Sequence, residues 1–79
     1  MDVIAGARYK HFKGGIYRVQ AIANHTETGE TLVVYRDMYG DENGERKFYA
    51  RPYDMFTSNV DKDKYPDVTQ EYRFELIEI

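Results

Sequence analysis

Seventy-nine residues, 42% hydrophobic, 32% charged and 15% aromatic, describe one small globular domain over residues 1–79 rather than a disordered chain. The absence of cysteine excludes a disulfide framework, a thiolate zinc site and a cysteine nucleophile. A net charge of −3 opposes a general nucleic-acid binder, which shows a basic surplus. The charge is uneven, however: residues 1–20 set Arg8, Lys10, Lys13 and Arg18 against Asp2, and residues 61–79 set six acids against Lys62, Lys64 and Arg73. No apolar run approaches the ~20 residues of a membrane span. Asp2 stands where a signal peptide carries positive charge, so a soluble cytoplasmic protein is expected.

In chain order, Tyr9 to Phe12 is an opening strand or extended arm, with Tyr9 and Phe12 packing and Lys10, His11 and Lys13 on the surface. Gly14-Gly15 is a turn. Ile16 to Ala23 has period two: Tyr17, Val19, Ala21 and Ala23 are all apolar, while Ile16, Arg18, Gln20 and Ile22 are mixed. That pattern predicts a strand with one buried face. Thr26 to Glu30 is a turn around Gly29. Thr31 to Arg36 is a β-branched and aromatic strand, paired antiparallel with the one before it.

Asp41-Glu42-Asn43-Gly44-Glu45 holds Asn-Gly, a strong hairpin signal. Lys47 to Ala50 follows as a strand that stops near Arg51, because Pro52 has no amide to donate. Tyr53 to Phe56 is a single 3₁₀ or helical turn with Met55 and Phe56 inward. Residues 57–69 are polar and form a long loop. In Tyr72 to Ile77 the residues Tyr72, Phe74 and Leu76 share a face, which marks a closing strand. The expected fold is all-β, a small five-stranded antiparallel SH3-like barrel whose closure removes exposed edges. Eight Tyr and four Phe, with no Trp, supply the core volume, each large ring burying about 150–250 Å².

Several ordered pieces carry a family resemblance. Tyr9-Lys10-His11-Phe12-Lys13-Gly14, Ala23-Asn24-His25-Thr26-Glu27-Thr28, Val34-Tyr35-Arg36 with Tyr39-Gly40, Arg51-Pro52 with Met55-Phe56, and Arg73-Phe74 span residues 6–77. Together they resemble domain-of-unknown-function family sixteen-fifty-three, a group of mostly bacterial proteins. The resemblance implies an SH3-like barrel and no particular activity. The family has a shorter turn and a Trp before its Arg-Pro. Here the turn runs from Asp41 to Lys47 and the preceding residues are Phe48-Tyr49-Ala50, whose Phe48 or Tyr49 would replace that ring.

Catalytic signals are weak. The only serine, Ser58, lacks a Gly-x-Ser-x-Gly setting, no carboxylate pair stands in an apolar frame, and Gly14-Gly15 lacks the Lys-Ser/Thr of a phosphate loop. His25 and Glu27 point to one side of an extended segment, but a catalytic zinc needs three protein ligands, and His11 would have to join them. The plainer role for His25 is to bond the turn backbone. Cationic and aromatic residues make the stronger case: Arg36 and Arg51 lie near Tyr35, Tyr39, Tyr49 and Tyr53. Arginine forks grip carboxylates or phosphates, and tyrosines are rigid stacking surfaces. The competing role is core filling by the rings with arginines laid over them.

The expected binding residues are therefore His25, Glu27, Tyr35, Arg36, Tyr39 and Arg51, with no cofactor and no metal. The expected function is a binding module for a peptide or protein partner. A nucleic-acid (RNA or single-stranded DNA) module is the first alternative, and a small enzyme or metal-binding protein using His11, His25 and Glu27 is the second. Oligomeric state is left open.

Overall fold

Alternating apolar residues bounded by glycine turns build five strands, labelled here in chain order. They are β1 (Arg8–His11), β2 (Ile16–Asn24), β3 (Thr31–Asp37), β4 (Phe48–Pro52) and β5 (Phe74–Glu78), with one helical turn, α1 (Tyr53–Phe56), after β4. The computed structural model describes residues 2–40 and 43–79. Asp41 and Glu42 of the expected hairpin turn thus lie outside the described residues.

All pairings are antiparallel and the sheet order is β4-β3-β2-β1-β5. The five strands, their antiparallel pairing and the short helical turn agree with the expectation. The closed barrel does not: β4 and β5 are the two edges of an open sheet. After Pro52 the chain leaves the sheet for α1 and then crosses the open side. There, Val60 donates to the Glu71 carbonyl at 2.8 Å and Arg73 to the Ser58 carbonyl at 2.9 Å, around an isolated bridge between Asn59 and Tyr72. These bonds tie the two ends of the long polar segment together and satisfy backbone groups that lie outside the five strands.

The period-two pattern of β2 holds as far as Val19 and then inverts. Val19 lies opposite Tyr35, but Ala21 lies opposite Val34 and Ile22 opposite Val33, with a register shift between Val19 and Ala21. Gln20 is the extra residue of a β-bulge, which flips every following side chain to the other face and bends the strand. Ile22 therefore joins the face of Val33 and Tyr35, and Ala21 and Ala23 leave it. A second bulge lies between β1 and β5, where Arg8 faces Glu78 and Tyr9 faces Leu76.

The core is Ala7, Tyr9, Val19, Val33, Tyr35, Phe56 and Phe74, with Val3, Ile4, Tyr17 and Tyr53 packed against it. Phe56 and Phe74 stack at 4.0 Å and 7°, and Tyr9 meets Phe56 edge-on at 5.4 Å. The phenols of buried Tyr9 and half-buried Tyr53 are used: Ile4 donates its amide to the Tyr9 hydroxyl at 2.9 Å, and Val3 donates to Tyr53 at 3.1 Å. Met55, expected inward beside Phe56, is 48% exposed. Two adjacent residues on a four-residue turn cannot both face the sheet, and Phe56 takes the core.

Two glycines shape the sheet's ends. Gly15 has φ +86°, and a Cβ there would sit 3.2 Å from the Tyr17 ring. Gly40 has an ordinary backbone, but its Cβ would lie 2.6 Å from the Gly44 carbonyl, so close chain approach excludes a side chain. Among the described residues no helix is long and apolar enough to cross a membrane.

Candidate binding site

Side chains on the core face of the sheet run past the buried core into a concave cavity. Cross-strand registers put Tyr35 opposite Tyr49, Val33 opposite Arg51 and His11 opposite Phe74. His11, Tyr17, Tyr35, Tyr49, Arg51 and Phe74 line the resulting cavity of about 190 Å³. Its walls are interlocked rings. Tyr35 and Tyr49 stack at 5.5 Å and 30°, and Tyr17 stands edge-on to Tyr35 at 5.4 Å, to Tyr49 at 6.1 Å and to Phe74 at 6.0 Å. Such edge and offset contacts favour rigid walls.

Arg51 sits among these rings. Its Nε donates to the Tyr35 hydroxyl at 3.1 Å, and its guanidinium lies 5.5 Å from the Phe74 centroid. One donor and one face of the guanidinium are thereby fixed, which orients the rest of the fork. Tyr49 donates to Asp37 Oδ2 at 3.3 Å. Burial, then the Asp37 carboxylate, raises the Tyr17 pKa above its ordinary value. Tyr17 therefore presents a neutral hydroxyl at neutral pH.

A second cleft of about 410 Å³ shares His11 and Arg51 with the first. It adds Lys13, Lys64 and Arg73, with Asp61 as its one acid. Asp61 is occupied with its own turn, accepting from the Asp63 and Lys64 amides at 3.0 and 3.3 Å. Tyr65 lies between Lys13 at 5.2 Å and Lys64 at 5.5 Å. The ammonium groups of Lys13, first, and Lys64 lower its pKa. The cleft is thus basic and aromatic, although the chain as a whole is acidic.

His11 stands at the junction. Its Nδ1 accepts the Lys13 amide at 3.1 Å, so the ring proton sits on Nε2. Burial first, then Arg51, Arg73 and Lys13, lowers its pKa below 6.5. The unfolded chain then binds this proton more readily than the folded one. The stability from a neutral His11 is complete above pH 6.5 and is lost as pH falls from there through the folded pKa. His11→Gln is expected to flatten stability just below pH 6.5, measured by urea unfolding at half-unit pH steps. An unchanged slope in that window would remove the assignment.

Of the residues expected to bind, the cavity brings together Tyr35, 4% exposed in its wall, and Arg51. Arg36 is on the opposite face of β3. Tyr39 is 71% exposed and lines neither cavity. His25 and Glu27 are in the β2–β3 turn, also outside both cavities. The His25 Nδ1 accepts the Glu27 and Thr28 amides at 3.1 and 3.3 Å, so its ring braces the turn. Among the described residues no three His, Asp or Glu side chains gather in a way that could hold a metal. Of the other lining residues, the sequence set Tyr49 beside the arginines, gave His11 only a surface or metal role and read Lys13 as a surface residue; it did not single out Tyr17, Phe74, Lys64, Tyr65 or Arg73 for a site.

The family model for a protein of unknown function, DUF1653, matches residues 7–76. Comparisons with curated proteins and with solved structures returned no match.

Proposed function

The chain belongs to the DUF1653 family of proteins of unknown function, and we propose that it is a non-catalytic binding module that takes an acidic segment of a peptide or protein partner. One observation carries the reading: Arg51, oriented by Tyr35 and Phe74, stands where an aromatic cavity opens into a basic cleft. The cavity, at about 190 Å³, is smaller than the roughly 300–1,000 Å³ of small-ligand pockets. It suits one inserted side chain of a longer segment. The free part of the Arg51 fork then meets a carboxylate, and Lys13, Lys64 and Arg73 meet further acids along the cleft.

Selection of random peptides displayed on phage against the immobilised protein tests this. The expected enrichment is for an apolar or aromatic residue followed by Asp or Glu. Tyr49→Ala, in the 37%-exposed wall, should abolish that enrichment, and Tyr39→Ser should leave it intact. Enrichment without acidic residues, or enrichment that survives Tyr49→Ala, would sink the proposal.

A further inference from the structure

The opposite face of the sheet carries a second constellation, separate from the concave site. Glu78, Arg8, Arg18, Arg36 and Phe48 lie directly opposite one another on β5, β1, β2, β3 and β4. They make one row across all five strands, with three arginines in succession. Like charges placed directly opposite on a sheet are destabilising, and among the described residues local partners offset these only at Arg8 and, by one hydrogen bond, at Arg18. Glu78 pairs with Arg8 at the row's end, and among the described residues neither Arg18 nor Arg36 has an ion pair. Arg18 gives one Nη1 hydrogen bond to the Gly6 carbonyl, at 2.9 Å. Among the described residues, the Nε atoms of Arg8 and Arg36 are buried with no hydrogen-bond partner. Phe48, beyond Arg36, is 63% exposed and contributes no buried surface to the core.

We propose that Arg18, Arg36 and Phe48 form a site for a nucleotide unit with a terminal phosphate, the phosphoryl group on the two guanidiniums and the base on the Phe48 ring. A carboxylate brings one charge and two oxygens. A phosphate monoester brings up to two charges and three acceptor oxygens, which match two adjacent arginine forks. Adjacent strands are about 4.8 Å apart, so the ring of Phe48 lies one strand from the Arg36 fork. A sugar between base and phosphate lets the base plane turn onto that ring while the phosphate faces the guanidiniums, and such stacking is common for bases on aromatic side chains. In phosphotyrosine a single oxygen joins the phosphoryl group to the ring, which leaves less freedom to lay the ring on Phe48 than the sugar of a nucleotide gives its base.

Titrations followed by arginine Nε–H and aromatic NMR signals test the site. The probes are inorganic phosphate, a nucleoside 5′-monophosphate, the bare nucleoside, a single-stranded oligonucleotide with and without a 5′-phosphate, a phosphotyrosine peptide and a glutamate-rich peptide. The monophosphate is expected to saturate Arg18, Arg36 and Phe48 signals and to bind about tenfold or more tighter than inorganic phosphate. Phe48→Ser should erase that advantage without changing phosphate affinity. Arg36→Gln should weaken both ligands about tenfold or more; if it fails to fold, Arg18→Gln reads the same contact. Arg51→Lys, in the concave site, should change neither, which separates failure of this proposal from failure of the peptide-binding one. A 5′-phosphorylated single-stranded oligonucleotide that binds as well as the mononucleotide would make a strand end the source; a weaker one would make it the free nucleotide. No saturable shift in the row would overturn the proposal. So would equal binding by the bare nucleoside, the unphosphorylated oligonucleotide, the glutamate peptide or the phosphotyrosine peptide.

Discussion

Phe56→Ala is expected to cost about 3–5 kcal/mol of folding stability, the range for removing a fully buried phenyl ring. Phe56 is 0% exposed, stacks on Phe74 at 4.0 Å and meets Tyr9 and Tyr35 edge-on at 5.4 and 5.5 Å. The ring is the main anchor of α1 to the sheet, since the other helical residues are half-buried or exposed. Small domains have about 0.05–0.15 kcal/mol of stability per residue. A chain of 79 residues therefore loses a quarter or more of its margin with this one ring. Urea unfolding followed by tyrosine fluorescence should show a midpoint far below that of the native chain. Phe56→Leu, which refills much of the volume, should lose less than about 1.5 kcal/mol. A loss under 1 kcal/mol for the alanine variant would mean that α1 does not close the core.

The strands were legible in the sequence because alternation and turn residues mark them locally. Gly14-Gly15 and Gly29 bound β2 and β3 where expected, and Pro52 ends β4. Which face each side chain takes was less legible. A single extra residue, Gln20, reverses the second half of β2, and nothing in Gln20 itself announces a bulge. Barrel closure was inferred from strand count, yet the segment after Phe56 crosses the open side by its own hydrogen bonds, and these join residues that no periodicity links.

The site shows the same division. Arg51 and Tyr35 are legible in the sequence as a cation near aromatic rings. Grouping Arg36 with them conflicts with strand parity, because Tyr35 and Arg36 are neighbours and must face opposite sides. Parity alone moves Arg36 to the other face; only the register across the sheet gives it Arg18 and Phe48 as company. His11 and Phe74 meet through the β1–β5 pairing, a long-range contact with no local signature. The resemblance implies a family but no roles for residues, and the cavity exists only where the fold brings its strands together.

Arg51→Lys is expected to impair acidic-peptide binding nearly as much as Arg51→Met, about tenfold or more for each. Lysine preserves the charge but has no Nε–H fork with which to hold Tyr35 and leave a second edge free. The native side chain has that geometry: 3.1 Å to the Tyr35 hydroxyl and 5.5 Å to the Phe74 ring. His11 supplies a second readout. Arg51 is the first charge, after burial, that lowers its pKa, so Arg51→Met should move the His11 titration upward toward 6.5. Arg51→Lys should leave most of the depression in place, because the positive charge persists. Together the two variants separate charge from shape: NMR titration of the His11 ring reports the charge, and peptide affinity, measured by fluorescence anisotropy with a selected peptide, reports the fork. Native-like affinity in Arg51→Lys would show that the cavity needs only a cation, and the oriented guanidinium would lose its role in recognition.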